Sequence, residues 1–434
     1  MKYYGPRPAG LEGMRRISQK LSVLPPDNSP ESDRSGRAVR PFVGNMPTMA
    51  PDKAAVDKPH WAHLFDEVVT SGLCTGCAGC VIACPHDVLG YDDGEGHYKP
   101  FHLEEEGGPG GCGHGDRGCT LCTRACPRFR AWELEADTLL FDRPREAHEV
   151  AGVTKDIVLA RASDDRVHQL GQDGGLVSAI LIWALEHEVI DAALVSYLEG
   201  DGTTWKAIPG VASNREQVLA AAGSRYTYSA NTLAYRDAIE AGHERLAMVG
   251  MSCQSSVPPI MKSRRTGKSA RRFALNIGLL CSKTFDDAIF PELFEAKYGL
   301  LRADIVKMNI KGVFQIWMRN GDYHEVPLKE CHAWTREGCN ACPDFAAEHA
   351  DISTGGIGAF NEWTLTIVRT DTGREIMDAM VADGTIQVRP GDDDPGAIAL
   401  MRKLSAKSRK RWPVTAVAAP GVLPPPEPAP APAS

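Results

Sequence analysis

Residues 74–85 read CTGCAGCVIACP, and residues 119–127 read CTLCTRACP. Both runs end in C-x3-C followed by proline. The first run as a whole has the spacing C-x2-C-x2-C-x3-C-P, in which one loop supplies three thiolates to a [4Fe-4S] cluster and the fourth cysteine binds a neighbouring cluster. The two runs therefore predict two iron–sulfur clusters that exchange one ligand each.

This exchange divides the first eight cysteines into two sets of four. The second run lacks one member, and we assign that place to Cys112, which is separated from Cys119 by the irregular loop GHGDRG. The first thiol set then consists of Cys74, Cys77, Cys80 and Cys126. The second thiol set consists of Cys84, Cys112, Cys119 and Cys122. Structural zinc is the alternative because C-x2-C pairs also bind zinc, but two C-x3-C-P endings favour clusters.

Two histidines lie close to these cysteines in the sequence. His86 follows the first run by two residues, and His114 lies in the loop between Cys112 and Cys119. We interpret both as surface residues or as residues that support the ligands, since the cysteines already complete two sets of four.

The composition limits the classes of function that the chain can have. It has 434 residues, 43% hydrophobic and 24% charged, with a formal net charge of −8. Such a composition is typical of a globular protein of two or three domains, and the negative charge argues against a nucleic-acid partner. The most apolar run, LVSAILIWAL (176–185), stops at Glu186 and predicts a buried helix rather than a membrane span.

Thirteen cysteines grouped at close spacing, with no apolar secretory signal at the N-terminus, are typical of metal ligation in a reducing compartment. We therefore expect a cytoplasmic location.

The chain divides into four parts. Residues 1–58, rich in Pro, Ser, Asp and Arg, predict an extended N-terminal segment. Residues 59–135 predict a ferredoxin-like domain with two clusters. Residues 150–412 alternate strand-like and helical segments, so we expect a mixed α/β domain, of class α/β or α+β. Residues 413–434 form a Pro/Ala-rich tail. The basic run at 407–412 is typical of a solvated helix end, with a docking patch for an acidic partner as the alternative.

Short apolar runs and longer amphipathic runs predict the elements of the third part. We predict strands at 156–162, 191–198, 245–251 and 273–281. We predict helices at 178–188 and 373–383.

The segment GQDGG (171–175) runs directly into the most apolar helix. Paired glycines let the backbone approach a ligand, and the N-terminus of the following helix favours anionic groups. Alternatively, the segment is a tight turn in which Asp173 caps the helix.

Two further segments are candidates for ligand contact. GSRYTYSANT (223–232) offers Arg225, Tyr226 and Ser229 for contacts with a phosphate or a ring, and ADISTGGIG (350–358) is a short strand that ends in a glycine loop. Taken alone, each segment also fits an ordinary loop.

Four of the five remaining cysteines can form a further site. Cys253 and Cys281 each follow an apolar strand-like run, and neighbouring strands that end at one sheet edge can present two thiolates side by side. The C-x2-C pair Cys339 and Cys342 can complete a site of four thiolates. Inert packing is the alternative for Cys253 and Cys281 taken singly. Cys331 is then the odd cysteine.

The order of these motifs resembles that of the family of coenzyme F420-reducing hydrogenase and dehydrogenase beta subunits. Between about residues 70 and 400, the motifs that carry the resemblance are VIACP, GQDGG, GSRYTYS, VGMSCQ, IGLLC, EGCNACPDF, ADISTGGIG and WTLTIVRT. The family includes input subunits of F420H2 dehydrogenase, beta subunits of F420-linked formate dehydrogenase, and ferredoxin-dependent divinyl chlorophyllide and hydroxymethyl chlorophyll a reductases. GQDGG and the two cysteine runs favour the F420 branch. The long N-terminal segment, the tail and the gap after Cys112 depart from the family pattern.

The resemblance implies a bound FAD and a third [4Fe-4S] cluster beside it. The implied ligands of that cluster, here called the third thiol set, are Cys253, Cys281, Cys339 and Cys342. The implied flavin contacts are Gln172, Asp173, Gly174, Gly175, Arg225, Tyr226, Ser229, Gly355 and Gly356.

The implied function is that of an iron–sulfur flavoprotein oxidoreductase. It would pass electrons between a hydride carrier, coenzyme F420, at FAD and a one-electron partner, either ferredoxin or a hydrogenase or dehydrogenase subunit. We assign no catalytic acid or base, because the cofactors hold the redox chemistry. One alternative is a ferredoxin-dependent reductase of an organic double bond, as in the chlorophyllide-type branch. Another is an electron-relay subunit without a substrate of its own.

Overall fold

Apolar runs rich in β-branched residues form the centre of the molecule. The computed structural model describes residues 58–94, 98–103, 108–130 and 132–413. The predicted N-terminal segment up to residue 57 and the predicted tail from residue 414 lie outside the described residues. The strands in chain order are β1 (Leu89–Asp92), β2 (Lys99–His102), β3 (Asp156–Ala162), β4 (Ala192–Leu198), β5 (Ala207–Ala212), β6 (Leu246–Met251), β7 (Phe273–Leu279), β8 (Ile305–Ile310), β9 (Val313–Met318), β10 (Tyr323–Pro327), β11 (Ile352–Gly355), β12 (Thr364–Val368) and β13 (Ile386–Pro390).

The helices are mostly short, and several carry cysteines. They are α1 (Trp61–Leu64), α2 (Gly79–Ala83), α3 (Gly113–Asp116), α4 (Leu121–Ala125), α5 (Trp132–Phe141), α6 (Asp165–Leu170), α7 (Leu176–Glu186), α8 (Arg215–Ala220), α9 (Tyr235–Glu240), α10 (Ser252–Ser255), α11 (Val257–Ser263), α12 (Lys268–Arg271), α13 (Leu328–Cys331), α14 (Glu337–Asn340), α15 (Asp371–Ala382) and α16 (Pro395–Arg409). Further turns of 3-10 or π type lie at Phe65–Val69, Asn231–Ala234, Phe290–Glu295, Arg302–Asp304, His332–Trp334 and Gly391–Asp393.

The main sheet has eight strands in the order β13-β3-β12-β11-β7-β6-β4-β5. Its four central strands, β11, β7, β6 and β4, are parallel, whereas the strands on either side pair antiparallel. The central strands are nearly continuous apolar runs because a parallel sheet is covered on both faces. The fold is thus mixed α/β, as the alternation of segments predicts.

The predicted elements of this sheet are confirmed to within two residues at each end. The four predicted strands correspond to β3, β4, β6 and β7, and the two predicted helices to α7 and α15. The edge strand β5 and the separate three-stranded antiparallel sheet of β8, β9 and β10 were not predicted. That smaller sheet covers an apolar cluster of its own, which includes Phe285, Phe294 and Phe314.

The cysteine-rich segment and the α/β segment share one hydrophobic core. Trp61 and Val81 from the first segment belong to the same apolar cluster as Tyr228, Val257 and Trp412 from the second. The described residues from Lys58 onward accordingly form one compact unit. The cysteines of the first part therefore lie directly against the end of the main sheet rather than on a separate lobe.

The basic run at residues 407–412 ends α16, but it is only partly solvated. Arg409 and Trp412 are buried, and Arg411 donates from Nη1 to the carbonyl of Ser282 at 2.7 Å. The interpretation of the run as a solvated helix end is therefore wrong for these residues. No helix in the described part of the chain combines the length and apolar character that crossing a membrane requires.

Candidate functional site

The two cysteine runs fold into short helices that pack against each other. A Cβ added at Gly79, on α2, would stand only 2.9 Å from the carbonyl oxygen of Ala125, on α4. Glycine at this position therefore permits the close approach of the two helices. Each helix ends at the cysteine that precedes a proline, Cys84 for α2 and Cys126 for α4.

The first thiol set comes together from both runs. Burial raises the pKa of Cys77 to about 12, with further contributions from the neighbouring thiols of Cys126 and Cys74. Burial also raises the pKa of Cys80 well above its usual value, and the thiols of Cys77, Cys126, Cys74 and Cys122 contribute to the increase. The cysteine at the end of the second run therefore lies near three cysteines of the first, and the exchange of ligands between the runs stays a prediction.

The second thiol set is grouped in the same way. Burial raises the pKa of Cys122 to about 12, and the thiols of Cys119, Cys112 and Cys84 contribute to the increase. Cys112 begins α3, where its Sγ accepts a hydrogen bond from Gly115 N at 3.4 Å. The irregular gap after Cys112 therefore does not keep this thiol away from its predicted set.

The two histidines lie beside this second set. The rings of His86 and His114 stack 3.7 Å apart and are almost parallel. His86 is exposed and His114 is half-buried. This location at the surface is the one that we predicted for them.

The third thiol set forms at the carboxyl edge of the parallel strands. Cys253 follows β6 and Cys281 follows β7, which are neighbours in the sheet. Burial raises the pKa of Cys281 well above its usual value, followed in size by the effects of Cys339, Cys253 and Cys342. Cys331 is buried separately in the apolar cluster that the smaller sheet covers, and its thiol points to the carbonyl of Pro327.

None of these groups has the geometry of a single-ion site. Within residues 58–413, apart from the short stretches that the structure does not describe, no three Cys, His, Asp or Glu side chains lie close enough to bind one metal ion. Tetrahedral zinc requires four ligand atoms at about 2.0–2.3 Å from one ion. Structural zinc stays an alternative to the predicted clusters at these thiol sets.

The predicted glycine segments meet at the same sheet edge. The amide of Gly174 donates to Thr364 Oγ1 at 3.1 Å, and a Cβ at Gly174 would stand 2.6 Å from the carbonyl oxygen of Ala160. A Cβ added at Gly356 would overlap the carboxylate of Asp173. The turn at 171–175 thus packs closely against the loop after β11. A side chain at Gly174 or Gly356 would clash with the atoms opposite it.

Asp173 is held by a lysine rather than by the helix that follows it. Lys311 Nζ lies 3.1 Å from Asp173 Oδ1 and 2.7 Å from Asn361 Oδ1. The interpretation of Asp173 as the cap of α7 is wrong, because Gly175 occupies the N-cap position, with a φ of 67°, and no side chain caps the helix. The first amides of α7 are therefore left without a side-chain acceptor.

Tyr226 and Gly355 connect this glycine site with the third thiol set. Burial raises the pKa of Tyr226, and the charges of Asp173 and Cys281 both contribute. The Tyr226 hydroxyl donates to Asn309 Oδ1 at 3.2 Å. A Cβ at Gly355 would stand 2.7 Å from the Cβ of Leu280, the residue before Cys281. A ligand held by the glycine segments would therefore lie next to the third thiol set.

A cavity of about 420 Å³ opens beside the turn at 171–175. Its lining includes Gln172 and Arg225 among the predicted contacts, together with Lys307, Arg319 and one acidic residue, Asp201. This volume lies within the usual range for small-molecule sites. The excess of basic side chains favours an anionic ligand.

Arg225 lines this cavity, and its guanidinium has no carboxylate partner among the described residues. Its Nη1 donates to the carbonyls of Ala221 and Gly223 at 2.8 and 2.9 Å, and burial lowers its pKa to about 10. Its Nε is buried without a hydrogen-bond partner. No carboxylate in the described residues pairs with it within 4 Å, so an anionic group in the cavity would complete its contacts.

Ser229 does not join the other predicted contacts. It is buried, and its Oγ donates to Asn231 Oδ1 at 2.7 Å, while its carbonyl accepts from Gln254 Nε2 at 2.7 Å. The structure places Ser229 in an internal network next to β6, and the cavity lining does not include it.

Lys311, Asn361 and Thr364 belong to the site but were not predicted. Each lies far from the GQDGG segment in the sequence, and each reaches it only through the folding of the two sheets. The signal that could have indicated Lys311 is its position in the turn between two strands, which is too common to single out one lysine.

Comparison with protein families identifies the chain. Residues 157–235 match the model of the N-terminal part of the coenzyme F420 hydrogenase/dehydrogenase beta subunit, and residues 243–394 match the model of the C terminus of the same beta subunit. Together the two matches cover more than half of the sequence. The chain belongs to the family of coenzyme F420 hydrogenase/dehydrogenase beta subunits.

Individual relatives agree with this assignment. The chain is 34% identical over 269 residues to the beta subunit of the coenzyme F420 hydrogenase of Methanothermobacter thermautotrophicus, covering 60% of this chain and 94% of that protein. It is 28% identical over 352 residues to a subunit of the F420H2 dehydrogenase of Methanosarcina mazei, covering 79% and 91%. A chain in the structure of the F420-reducing [NiFe] hydrogenase complex from Methanosarcina barkeri matches with a TM-score of 0.58 at 30% identity, covering 61% of this chain and 91% of that one.

Proposed function

We propose that this chain is an iron–sulfur flavoprotein oxidoreductase that passes electrons between a hydride carrier and a one-electron partner. The observation that carries the proposal is that the glycine site and the third thiol set are neighbours. Tyr226 lies between them, and the charges of Asp173 and Cys281 both contribute to its raised pKa. A redox ring held at the first site would be next to a cluster held at the second. The names of the relatives support coenzyme F420 as the hydride carrier.

FAD is the proposed occupant of the glycine site. It supplies the exchange between two-electron hydride chemistry and single-electron transfer. Gln172 and Arg225 line the cavity, and Arg225 with the uncapped start of α7 would bind phosphate oxygens. Asp173, fixed by Lys311, holds the turn in place, and Gly174, Gly175, Gly355 and Gly356 let the segments around the proposed site pack closely against one another. Ser229 would act through the internal network that supports β6.

The three thiol sets would hold three [4Fe-4S] clusters. Each set offers the four thiolates that one such cluster needs. Bound clusters would carry single electrons between the flavin and the surface. We place electron exchange with the partner at the second thiol set, beside the exposed His86.

The partner would be ferredoxin or a subunit of a hydrogenase or dehydrogenase complex. The structural relative from Methanosarcina barkeri is a chain of such a complex. A cytoplasmic location is part of the proposal, since all thirteen cysteines are free and cluster ligands need a reducing compartment.

The decisive experiment adds reduced F420 to the anaerobically purified chain and records the flavin and cluster absorbance. We expect the flavin band to bleach first and the cluster band to follow. Bleaching by reduced ferredoxin but not by reduced F420 would contradict the proposed donor and favour the alternative of a ferredoxin-dependent reductase. The absence of bleaching with either donor would contradict a flavin site.

A matched pair of variants tests where the flavin binds. Gly356→Ala places a methyl group on the Asp173 carboxylate, so we expect flavin affinity to fall about tenfold or more, which corresponds to about 1.4 kcal/mol. Gly396→Ala is the control, because its Cβ would stand 3.4 Å from the nearest atom, which is ordinary van der Waals distance. Equal flavin affinity in the two variants would place the flavin elsewhere.

A further inference from the structure

Two buried arginines, Arg128 and Arg336, lie between the first and third thiol sets. Their exposed fractions are 1% and 4%. Arg128 follows Cys126 by two residues, and Arg336 precedes Cys339 by three. The backbone of Arg128 therefore lies next to the first thiol set, and the backbone of Arg336 lies next to the third. The side chain of each arginine extends toward the opposite set.

Arg128 connects the end of the second cysteine run with the third set. Its Nη2 donates to Cys342 Sγ at 3.4 Å, and its Nη1 donates to the carbonyl of Pro127 at 2.7 Å. The guanidinium lies 4.5 Å from the centroid of the Trp132 ring. The aromatic ring and the carbonyl hold the guanidinium in the orientation in which Nη2 faces Cys342.

Arg336 makes the corresponding connection from the opposite direction. Its Nη2 donates to the carbonyl of Thr75 at 3.2 Å, between Cys74 and Cys77 in the first run. Its guanidinium lies 3.6 Å from the centroid of the Tyr228 ring, and the Tyr228 hydroxyl is 3.7 Å from Cys253 Sγ. Its Nη1 lies 3.5 Å from the hydroxyl of Thr284, which is 3.6 Å from Cys339 Sγ.

Neither of these two groups forms an ion pair with a carboxylate in the described part of the chain. Among the described residues, neither guanidinium has an acidic side chain within 4 Å, and the Nε of each is buried without a hydrogen-bond partner. A buried cation without a counter-ion is strongly unfavourable. Arg369 is also buried without an ion pair, but its guanidinium donates to three oxygen atoms and leaves no nitrogen unsatisfied. Burial lowers the pKa of Arg128, but the thiols of Cys342 and Cys253 raise it, followed in size by the carboxylate of Asp344. The thiols of Cys339 and Cys253 act in the same direction on the pKa of Arg336, together with two tyrosines.

We propose that Arg128 and Arg336 are positioning residues that supply a shared counter-charge to the first and third clusters and raise the reduction potentials of both. The inference rests on the proposed function. Transfer of one electron oxidises one cluster, reduces the other and breaks no bond. The cluster that gains the electron gains one negative charge, which a nearby cation stabilises. Because Coulomb interaction weakens with distance, the second cluster should be affected least.

The test uses the full, iron-loaded chain in an anaerobic potentiometric titration, with each cluster followed by electron paramagnetic resonance. The variants are Arg128→Gln and Arg336→Gln, which remove the charge, and Arg128→Lys, which keeps it. Arg130→Gln is the control, since Arg130 is half-exposed and paired with Glu67 at 2.8 Å. In each Gln variant we expect the reduction equilibria of the first and third clusters to shift about tenfold toward the oxidised form, or about 59 mV for one electron.

Arg128→Lys and Arg130→Gln should keep all three equilibria within about twofold of the wild type. A Gln variant that loses iron from the third cluster while Arg128→Lys retains it also supports the role of the charge. Unchanged equilibria in iron-replete Gln variants would overturn the inference, as would equal shifts of all three clusters or loss of iron in Gln and Lys variants alike. A wild-type chain without iron would instead overturn the proposed function, so the two failures are distinguishable.

Discussion

The molecule contains two groups of buried arginines that differ in what balances their charge. Arg145 and Arg409 are each surrounded by carboxylates of the chain itself, whereas Arg128 and Arg336 face thiols. The first group is neutralised by the polypeptide as soon as it folds. The second has no carboxylate within 4 Å among the described residues and lies beside the first and third thiol sets. The difference separates arginines whose charge the polypeptide itself balances from those that we propose to balance bound clusters.

The carboxylate network fixes three segments to one another. Arg145 Nε lies 2.6 Å from Asp137 Oδ2, and Arg409 Nη2 lies 3.1 Å from Glu133 Oε1. Both arginines also contact Glu348. The network thus joins α5, α16 and the segment after Cys342, behind the third thiol set. Helix α5 also carries Trp132, whose ring contacts the guanidinium of Arg128.

The largest effect is expected from removal of one thiol of the third set. Cys339→Ser should abolish the third cluster and lower the iron content from about twelve to about eight atoms per chain. Iron analysis of the anaerobic protein is the measurement, and Cys331→Ser, a buried cysteine outside the three sets, is the control that should lose none. Loss of iron from all three sets would mean that the thiol region is one cooperative unit, contrary to separate sites.

The next effect comes from breaking the carboxylate network. Arg145→Met leaves Glu133, Asp137 and Glu348 with too little positive charge, and we expect the free energy of unfolding to fall by about 3–5 kcal/mol. Urea unfolding measures this change. Arg166→Met, which removes an exposed pair with Glu216, should change it by about 1 kcal/mol or less. Similar changes in both variants would remove the distinction between the buried network and a surface pair.

The smallest effect is expected at Asp137, and it depends on pH. Burial alone would raise the pKa of Asp137, but hydrogen bonds from Arg145 and His349 hold it well below its usual value. The ionised carboxylate therefore stabilises the fold fully above its unfolded pKa of about 3.9, and this contribution is lost as the pH falls further.

Asp137→Asn should lower the free energy of unfolding by about 1–3 kcal/mol at pH 7. The difference from the wild type should decrease when urea unfolding is repeated below about pH 4. A difference that stays constant from pH 7 to pH 3 would show that Asp137 acts by shape rather than by charge.

The sequence predicts local and periodic features well and long-range contacts poorly. β6 and β7 follow from apolar runs, and the proximity of Cys126 to cysteines of the first run follows from spacing, because both are encoded within about fifty residues. The contact of Arg128 with Cys342 spans 214 residues, and no periodic pattern connects them. For the same reason Lys311 was missed, while Ser229, predicted from its neighbours Arg225 and Tyr226, points into a different network.

The most direct test of the account is cofactor analysis of the chain purified without oxygen. The account predicts about twelve iron atoms with matching acid-labile sulfide per chain and one FAD released on denaturation. A colourless protein that contains zinc in place of iron and releases no flavin would contradict it.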